Sequence, residues 1–180
     1  IRMPGASGIE LFAQDGTPFS GTIDMGLSIW DAGTELNEAP GVGPNQVQNQ
    51  PAPNTGDPDP DNSVRLVDDG FSYPDVNDIL RVTVTPIEAT PFFVRIVNVS
   101  TPASLMPSDG SMQFVPLSPG VWAVPTADAV LFAPGQADFG EGLEHIAEDG
   151  DVSMLASALS GKSGVFASGI LNTPTDATAD

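Results

Sequence analysis

Two carboxylates, Asp31 and Glu35, lie close together in the segment Trp30-Asp31-Ala32-Gly33-Thr34-Glu35. The Ala32-Gly33 step between them is typical of a sharp turn, which can fold both acids back onto one point. Carboxylate oxygens gathered in this way are the ligands that Ca²⁺ prefers in proteins. The spacing therefore predicts a calcium site with Asp31 and Glu35 as ligands, and the plainer alternative is a solvated acidic turn.

The residues before this turn alternate between apolar and polar, as in a half-buried strand. The apolar positions are Ile23, Met25, Leu27 and Ile29, and the polar or small positions between them are Thr22, Asp24, Gly26 and Ser28. We therefore expect the acidic turn to leave the end of a strand that stops at Trp30.

A second group of acids, Asp57, Asp59 and Asp61, lies at the tip of a long loop that runs from Asn37 to Asn62. Alternating acids are found in calcium loops, but here prolines separate them and no glycine supplies the bend of an EF-hand. A solvated charge run is the alternative. Further along, Asn98-Val99-Ser100 fits the glycosylation sequon, although a structural role at a strand end explains the same residues.

Catalytic groups are scarce. The only histidine, His145, is predicted to lie in a short helix, and cysteine is absent, so a thiol nucleophile and a Cys/His zinc site are excluded. A carboxylate pair could hydrolyse glycosides, but among 24 acidic residues some pair always looks suitable. Trp30 and Trp122 could stack on sugars, or could simply pack against the sheets. We expect a protein that is not an enzyme.

Composition narrows the class of protein. A chain of 180 residues is enough for one domain with its own core. With 24 acidic against 5 basic residues, the formal charge of -19 argues against nucleic acid and anionic membranes and favours divalent cations. There is no 18-residue apolar run, so membrane insertion is not expected; with no N-terminal Met or signal peptide, the chain reads as a mature soluble segment.

The remaining periodicity is mostly that of short strands joined by turns. Strands are predicted at residues 79–85, 92–99, 121–124 and 130–132, and residues 92–99 are apolar enough to lie in the middle of the sandwich. Apolar residues recur at helical spacing near Leu143 and Met154, with a break at Asp149-Gly150-Asp151 and a stop at Gly161. The pattern predicts an all-β protein, an antiparallel β-sandwich with one or two short capping helices.

Several motifs together resemble the spondin domain, an extracellular β-sandwich. They are the WDAGTE string at residues 30–35, GVGPNQ at 41–46, LRVTVTP at 80–86, LSPGVWAV at 117–124, and GLE at 142–144 followed by AEDGD at 147–151. The resemblance implies one spondin-like domain over residues 1–180. It also implies a calcium ligand at Asp31, since the first aspartate of the family's DAGT motif holds the metal.

The order of these motifs is permuted relative to the family. Residues 1–86 resemble the C-terminal half of a spondin domain, and residues 90–180 resemble its N-terminal half. Neighbouring chain ends make such a rearrangement tolerable. A pair of strands that the family has, ending in a second acidic calcium ligand, has no counterpart in this sequence.

A sheet that lacks a pair of strands exposes an edge to which another strand can add. We therefore expect an extracellular, structural and adhesive subunit that polymerises with copies of itself by strand complementation, with Ile1-Arg2-Met3-Pro4 or the tail from Ile170 to Asp180 as the donor. Head-to-tail contacts of this kind give filaments unless a ring closes. Surface glycans or other surface proteins are further expected partners, and a soluble carbohydrate-binding, lectin-like module is the alternative.

Overall fold

The computed structural model describes residues 15–23, 28–88, 91–128 and 130–171, and most of its regular structure is antiparallel sheet. The strands are β1 (Gly21–Ile23), β2 (Trp30–Asp31), β3 (Arg65–Leu66), β4 (Leu80–Pro86), β5 (Phe92–Asn98), β6 (Gly120–Pro125) and β7 (Val165–Leu171). The helices are α1 (Leu143–Glu148) and α2 (Ser153–Leu159), and a short 3-10 helix spans Val76–Asp78. The expectation of a mainly-β protein with two short helices is confirmed.

The largest sheet has the order β1-β4-β5, and all of its pairs are antiparallel. Strand β4 overlaps the predicted range of residues 79–85 and alternates, because Leu80, Val82 and Val84 are buried while Arg81 and Thr85 are exposed. The buried face forms a small core of Ile23, Val82 and Val84, against which Phe19 and Phe92 pack. This sheet therefore has an inner, apolar face and an outer face that is open to water.

In the part of the chain that the structure describes, residues 92–99 do not have the burial expected of a strand in the middle of a sandwich. Strand β5 is an edge strand that pairs with β4 alone. Val94 and Ile96 share the inner face with Val82 and Val84, yet they are 52% and 40% exposed. The apolar sequence of β5 therefore reflects a sheet edge that no described element covers.

The second half of the chain is built on β6 and β7, which pair over their length with one irregularity at Val124 and Pro125. Both helices form where the apolar spacing predicts them; α2 packs against β7, and its side chains Leu155 and Leu159 are buried. Gly161 follows α2 with a positive φ of 78°, the conformation expected at a helix stop.

Other predicted elements differ from the structure or lie outside it. Residues 130–132 are not a strand, although Phe132 is buried and its ring lies 5.1 Å from that of Trp30. Residues 24–27 of the predicted first strand, together with 1–14 and 172–180, are outside the described residues. Within the described chain no helix is both long and apolar enough to cross a membrane.

Candidate functional site at the Asp31 to Glu35 turn

The acidic turn begins where β2 ends, and the short β2–β3 pair places Asp31 directly opposite Arg65. The turn depends on Gly33, whose φ is +74°. A Cβ at this position would come within 2.3 Å of the carbonyl oxygen of Ser63. The close approach of these two backbone segments therefore requires glycine.

Asp31 belongs to a group that we call the arginine cluster, defined by Asp31, Asp59, Asp61 and Arg65. The guanidinium of Arg65 lies 2.7 Å from Oδ2 of Asp31 and 2.5 Å from Oδ2 of Asp59, and it also donates to the carbonyl oxygen of Asp61. The Asp31 and Asp59 side chains are only 4% and 7% exposed. One cation therefore holds the turn against the tip of the long loop.

The carboxylate of Asp31 has a partner for each of its oxygens. Oδ1 accepts from the backbone N–H of Gly33 at 2.7 Å, and Oδ2 accepts from the Asn37 amide at 2.9 Å as well as from Arg65. The hydrogen bond from Arg65 lowers the pKa of the neighbouring Asp59 below its ordinary value. Arg65 thus favours the ionised form of Asp59.

Glu35, at the other end of the turn, lies among a different set of acids. Its Oε1 accepts from the N–H of Gly56 at 3.0 Å, and a Cβ at Gly56 would lie 2.1 Å from the Glu35 carboxylate. Burial and the nearby charges of Asp149, Glu144 and Glu38 raise its pKa, while the bond from Gly56 opposes that shift. We call Glu35, Glu144, Glu148 and Asp149 the carboxylate cluster.

Glu148, at the end of α1, is the member of the carboxylate cluster whose pKa is raised to about 7. The hydroxyl of Thr34 donates to its Oε1, whereas Oε2 is enclosed and has no hydrogen-bond partner among the described residues. Burial raises the pKa of Glu148 to about 7, the charges of Glu35, Glu144 and Asp149 add to the rise, and the bond from Thr34 opposes it. Near neutral pH this side chain is therefore divided between its protonated and ionised forms.

Among the described residues, no lysine or arginine forms an ion pair with the acids around Glu148. Asp149, whose side chain is 8% exposed, accepts from Gln50 Nε2 at 2.9 Å. His145 Nδ1 lies 3.9 Å from Asp149 Oδ2, so it would contribute a positive charge only when protonated. The only histidine thus lies beside Asp149, the residue that follows its own helix.

The geometry at Asp31 does not fit Ca²⁺ while Arg65 is in place. Calcium takes six to eight oxygen ligands, but both Asp31 oxygens already accept from N–H donors and a guanidinium lies within 2.7 Å. Among the described residues no group of three or more His, Cys, Asp or Glu side chains is arranged for a metal. Asp31 and Glu35 face different partners, and calcium at these residues stays a prediction.

The other candidate residues each have a definite place. Asp59 and Asp61 of the loop tip surround Arg65, while Asp57 accepts a backbone bond from Leu36 N. The Asn98 amide donates to the Val115 carbonyl and its oxygen accepts from Ser100 N, which supports the structural explanation of the sequon.

The two tryptophans differ in their surroundings. Trp30 packs against Phe132, whereas Trp122 is 42% exposed and lies over the backbone of Gly169. Trp122 is therefore the only one of the two that presents a large exposed ring surface.

Sequence reasoning missed Arg65 and Glu148 as members of these clusters. Arg65 is one of only five basic residues, and it follows closely on the acids of the loop tip, so its pairing with them was a readable signal. Nothing in the sequence places Glu148 against Thr34, which lies 114 residues away. Comparisons of the chain with protein-family models, with curated proteins and with solved structures find no match.

Proposed function

We propose that this chain is a structural and adhesive subunit of the cell surface that assembles with copies of itself by accepting a strand at the open edge of β5. The role is non-enzymatic. The observation on which the proposal rests is the pair Val94 and Ile96, which are exposed on the inner face of an edge strand. Its extracellular location is inferred from the resemblance to spondin domains.

The register of β4 and β5 indicates which backbone N–H and C=O groups of β5 could form hydrogen bonds with an added strand. At one end of the β4–β5 ladder Val99 N donates to the Ile79 carbonyl, and at the other end Ile87 N donates to the Pro91 carbonyl. Counting from these ends, every second residue of β5 forms its hydrogen bonds with β4. The intervening residues, including Val94 and Ile96, direct their N–H and C=O groups away from β4. Within the described chain, no hydrogen bond fills these outward positions of Val94 and Ile96.

An edge of this kind is a template for another strand. Soluble proteins usually protect exposed edges with charges, prolines or bulges, but Val94 and Ile96 are large and apolar. A strand added here would complete the ladder and cover part of the inner face. The completed assembly would be the spondin-like sandwich that the sequence motifs suggest, with one layer supplied by a neighbour.

The identity of the donor strand can be narrowed. Ile170 and Leu171 already pair with Val121 and Gly120 within this chain, so a tail donor would have to start after Leu171. Both remaining donors, residues 1–4 and 172–180, lie outside the described residues. Deleting residues 1–8 and, separately, 172–180 tests each of them without removing any of β7.

The edge itself is tested by changing its backbone and its side chains. Ile96→Pro removes one outward N–H, which an edge strand tolerates, and Val94→Lys adds a charge that protects edges. Phe166→Lys is the matched control, since Phe166 is 80% exposed but lies on β7. Circular dichroism and thermal melting establish that each variant folds.

Sedimentation velocity and electron microscopy then measure assembly. We expect polymers of the parent and of Phe166→Lys, and monomers of the two β5 variants. A parent that stays monomeric at high concentration, or β5 variants that polymerise as the parent does, would refute the proposal.

Calcium at Asp31 and Glu35 is a separate proposal, because binding at Asp31 requires Arg65 to be displaced. Glu35→Gln tests it best, since the amide oxygen can still accept from Gly56 N while the charge is lost. If calcium binds, it raises the melting temperature of the parent by more than that of Glu35→Gln. Equal melting temperatures of the parent in calcium and in chelator would eliminate the site.

A lectin-like role is the second candidate, and the exposed ring of Trp122 supports it. Sugars stack on exposed aromatic faces, and Trp122 meets that requirement better than Trp30. Glycan titration followed by tryptophan fluorescence, with Trp122→Ala as the comparison, tests this role. Saturable binding that Trp122→Ala removes would support it, and an unchanged signal across a glycan panel would reject it.

A further inference from the structure

The outer face of the β1-β4-β5 sheet carries two of the five lysine and arginine residues of this acidic protein, Arg81 and Arg95. We define this outer face by Arg81, Thr83 and Thr85 of β4 and by Phe93, Arg95 and Val97 of β5, which pair across the two strands. Arg95 lies opposite Thr83, and Arg81 lies opposite Val97. The two arginines are therefore diagonal neighbours on one side of the sheet, close enough to act on the same partner.

These arginines are uncompensated within the described chain. Arg65 forms ion pairs with aspartates and Lys162 with Glu141, but neither Arg81 nor Arg95 forms an ion pair with a described residue. Both are exposed. Asp78 lines the same shallow recess as Arg81 without pairing with it. The outer face thus presents two free cations on a protein whose formal charge is -19.

The outer face also has exposed apolar surface beside its two arginines. Phe93 is 56% exposed. It lies two residues before Arg95 in β5, so Phe93, Arg95 and Val97 share one face of the strand. Arginine and aromatic side chains together are the residues enriched in protein interfaces and among the contacts that dominate their affinity. The composition of this face suits a protein partner.

We infer that the outer face docks on an acidic surface of a second copy of this chain. Two copies brought together at random oppose acid to acid, because each has the same large negative charge. A contact in which Arg81 and Arg95 meet carboxylates replaces this repulsion with attraction. The inference rests on the proposed self-assembly and adds the surface that orients one subunit on the next.

Charge also determines the symmetry of this contact. A two-fold contact of the outer face with itself would bring arginines against arginines. The acceptor must therefore be a different surface, and the carboxylate cluster has the required sign, since Glu35 and Glu144 are partly exposed there among like charges. A contact between unlike surfaces repeats head to tail, as strand addition does.

The experiment compares two double variants that lower the net charge equally. Arg81→Gln with Arg95→Gln removes the charges of the outer face. Ser108→Glu with Ser163→Glu adds the same negative charge at exposed residues on other parts of the surface. Association of each is measured by sedimentation equilibrium between low and high salt, beside the parent and the Ile96→Pro edge variant.

We expect the arginine variant to associate about tenfold more weakly than its charge-matched control at low salt, from two ion pairs at the interface. The difference should fade as salt screens it. If the arginine variant associates like its control, the inference is overturned, while loss of assembly in Ile96→Pro would still support strand addition.

The opposite result would support docking at the outer face and count against strand addition at β5. Assembly that survives Ile96→Pro and Val94→Lys but fails in the arginine variant supports the outer face and refutes strand addition at β5. An arginine variant that assembles normally but no longer binds immobilised heparin would assign the face to another acidic partner and would also overturn the inference.

Discussion

Glu148→Gln should stabilise the protein at alkaline pH and leave its stability at acid pH nearly unchanged. The ionised form of Glu148 lies in a poorly hydrated position near Glu35, Glu144 and Asp149, with one oxygen that has no hydrogen-bond partner among described residues. Glutamine keeps an oxygen that can accept from Thr34 and removes the charge. The substitution therefore isolates the cost of ionising this one group.

The sign follows from proton binding. The pKa of Glu148 rises from an ordinary 4.5 to about 7 on folding, so between these values the folded protein holds a proton that the unfolded chain has released. The free energy of unfolding therefore falls as pH rises from 4.5 to 7, and the penalty is constant above that range. Allowing for the water that still reaches this side chain, the penalty is about 2 kcal/mol.

The assay is urea unfolding at intervals from pH 4 to pH 8, about the range over which Glu148 titrates. Parent and Glu148→Gln are compared at each pH, since their difference cancels the titration of the other acids. Glu88→Gln, at an exposed position, is the control for loss of one negative charge. We expect a difference near zero at pH 4 that grows to about 2 kcal/mol at pH 8; a constant difference, or a less stable Glu148→Gln at pH 8, would refute the assignment.

Two further substitutions test the turn itself. Asp31→Asn should cost about 1–3 kcal/mol in calcium or in chelator, because it sets an amide donor against the donors of Arg65 and Asn37, while the exposed Asp57→Asn should change stability by less than about 0.5 kcal/mol; equal effects in urea unfolding would contradict the arginine cluster. Gly33→Ala should destabilise by about 2 kcal/mol more than Gly70→Ala, since both glycines have positive φ but only Gly33 has backbone in the way of a Cβ. Similar melting temperatures of these two variants would show that the close approach to Ser63 is not required.

The elements that the sequence predicted well are those whose pattern is local. Strand β4 alternates because one of its faces is wet, and α2 repeats its apolar residues because one of its sides packs on β7. Strand β7 was not predicted, since Ala167, Ser168 and Gly169 in its centre give little apolar periodicity. It exists because β6 pairs with it, which is a long-range fact.

The position of β5 was not predictable for a different reason. An apolar strand is equally suited to the centre of a sheet and to an edge that a partner covers, and its sequence does not distinguish the two. The candidate site, too, depends on contacts that the local sequence does not reveal. The sequence singled out Asp31 as a calcium ligand, which stays a prediction, but its cation, Arg65, is fixed by strand pairing across a loop and not by the spacing of neighbouring residues.

The turn from Asp31 to Glu35 connects two charge environments that respond differently to dissolved ions. At the Asp31 end, the carboxylates are nearly inaccessible and already paired with Arg65, so mobile ions add little. At the Glu35 end, like charges face one another, and an ionic atmosphere lowers their repulsion. A rise in salt therefore leaves the ion pairs at one end of this short turn nearly unchanged and lowers the repulsion between carboxylates at the other end, so the two ends of a five-residue segment differ in their dependence on ionic strength.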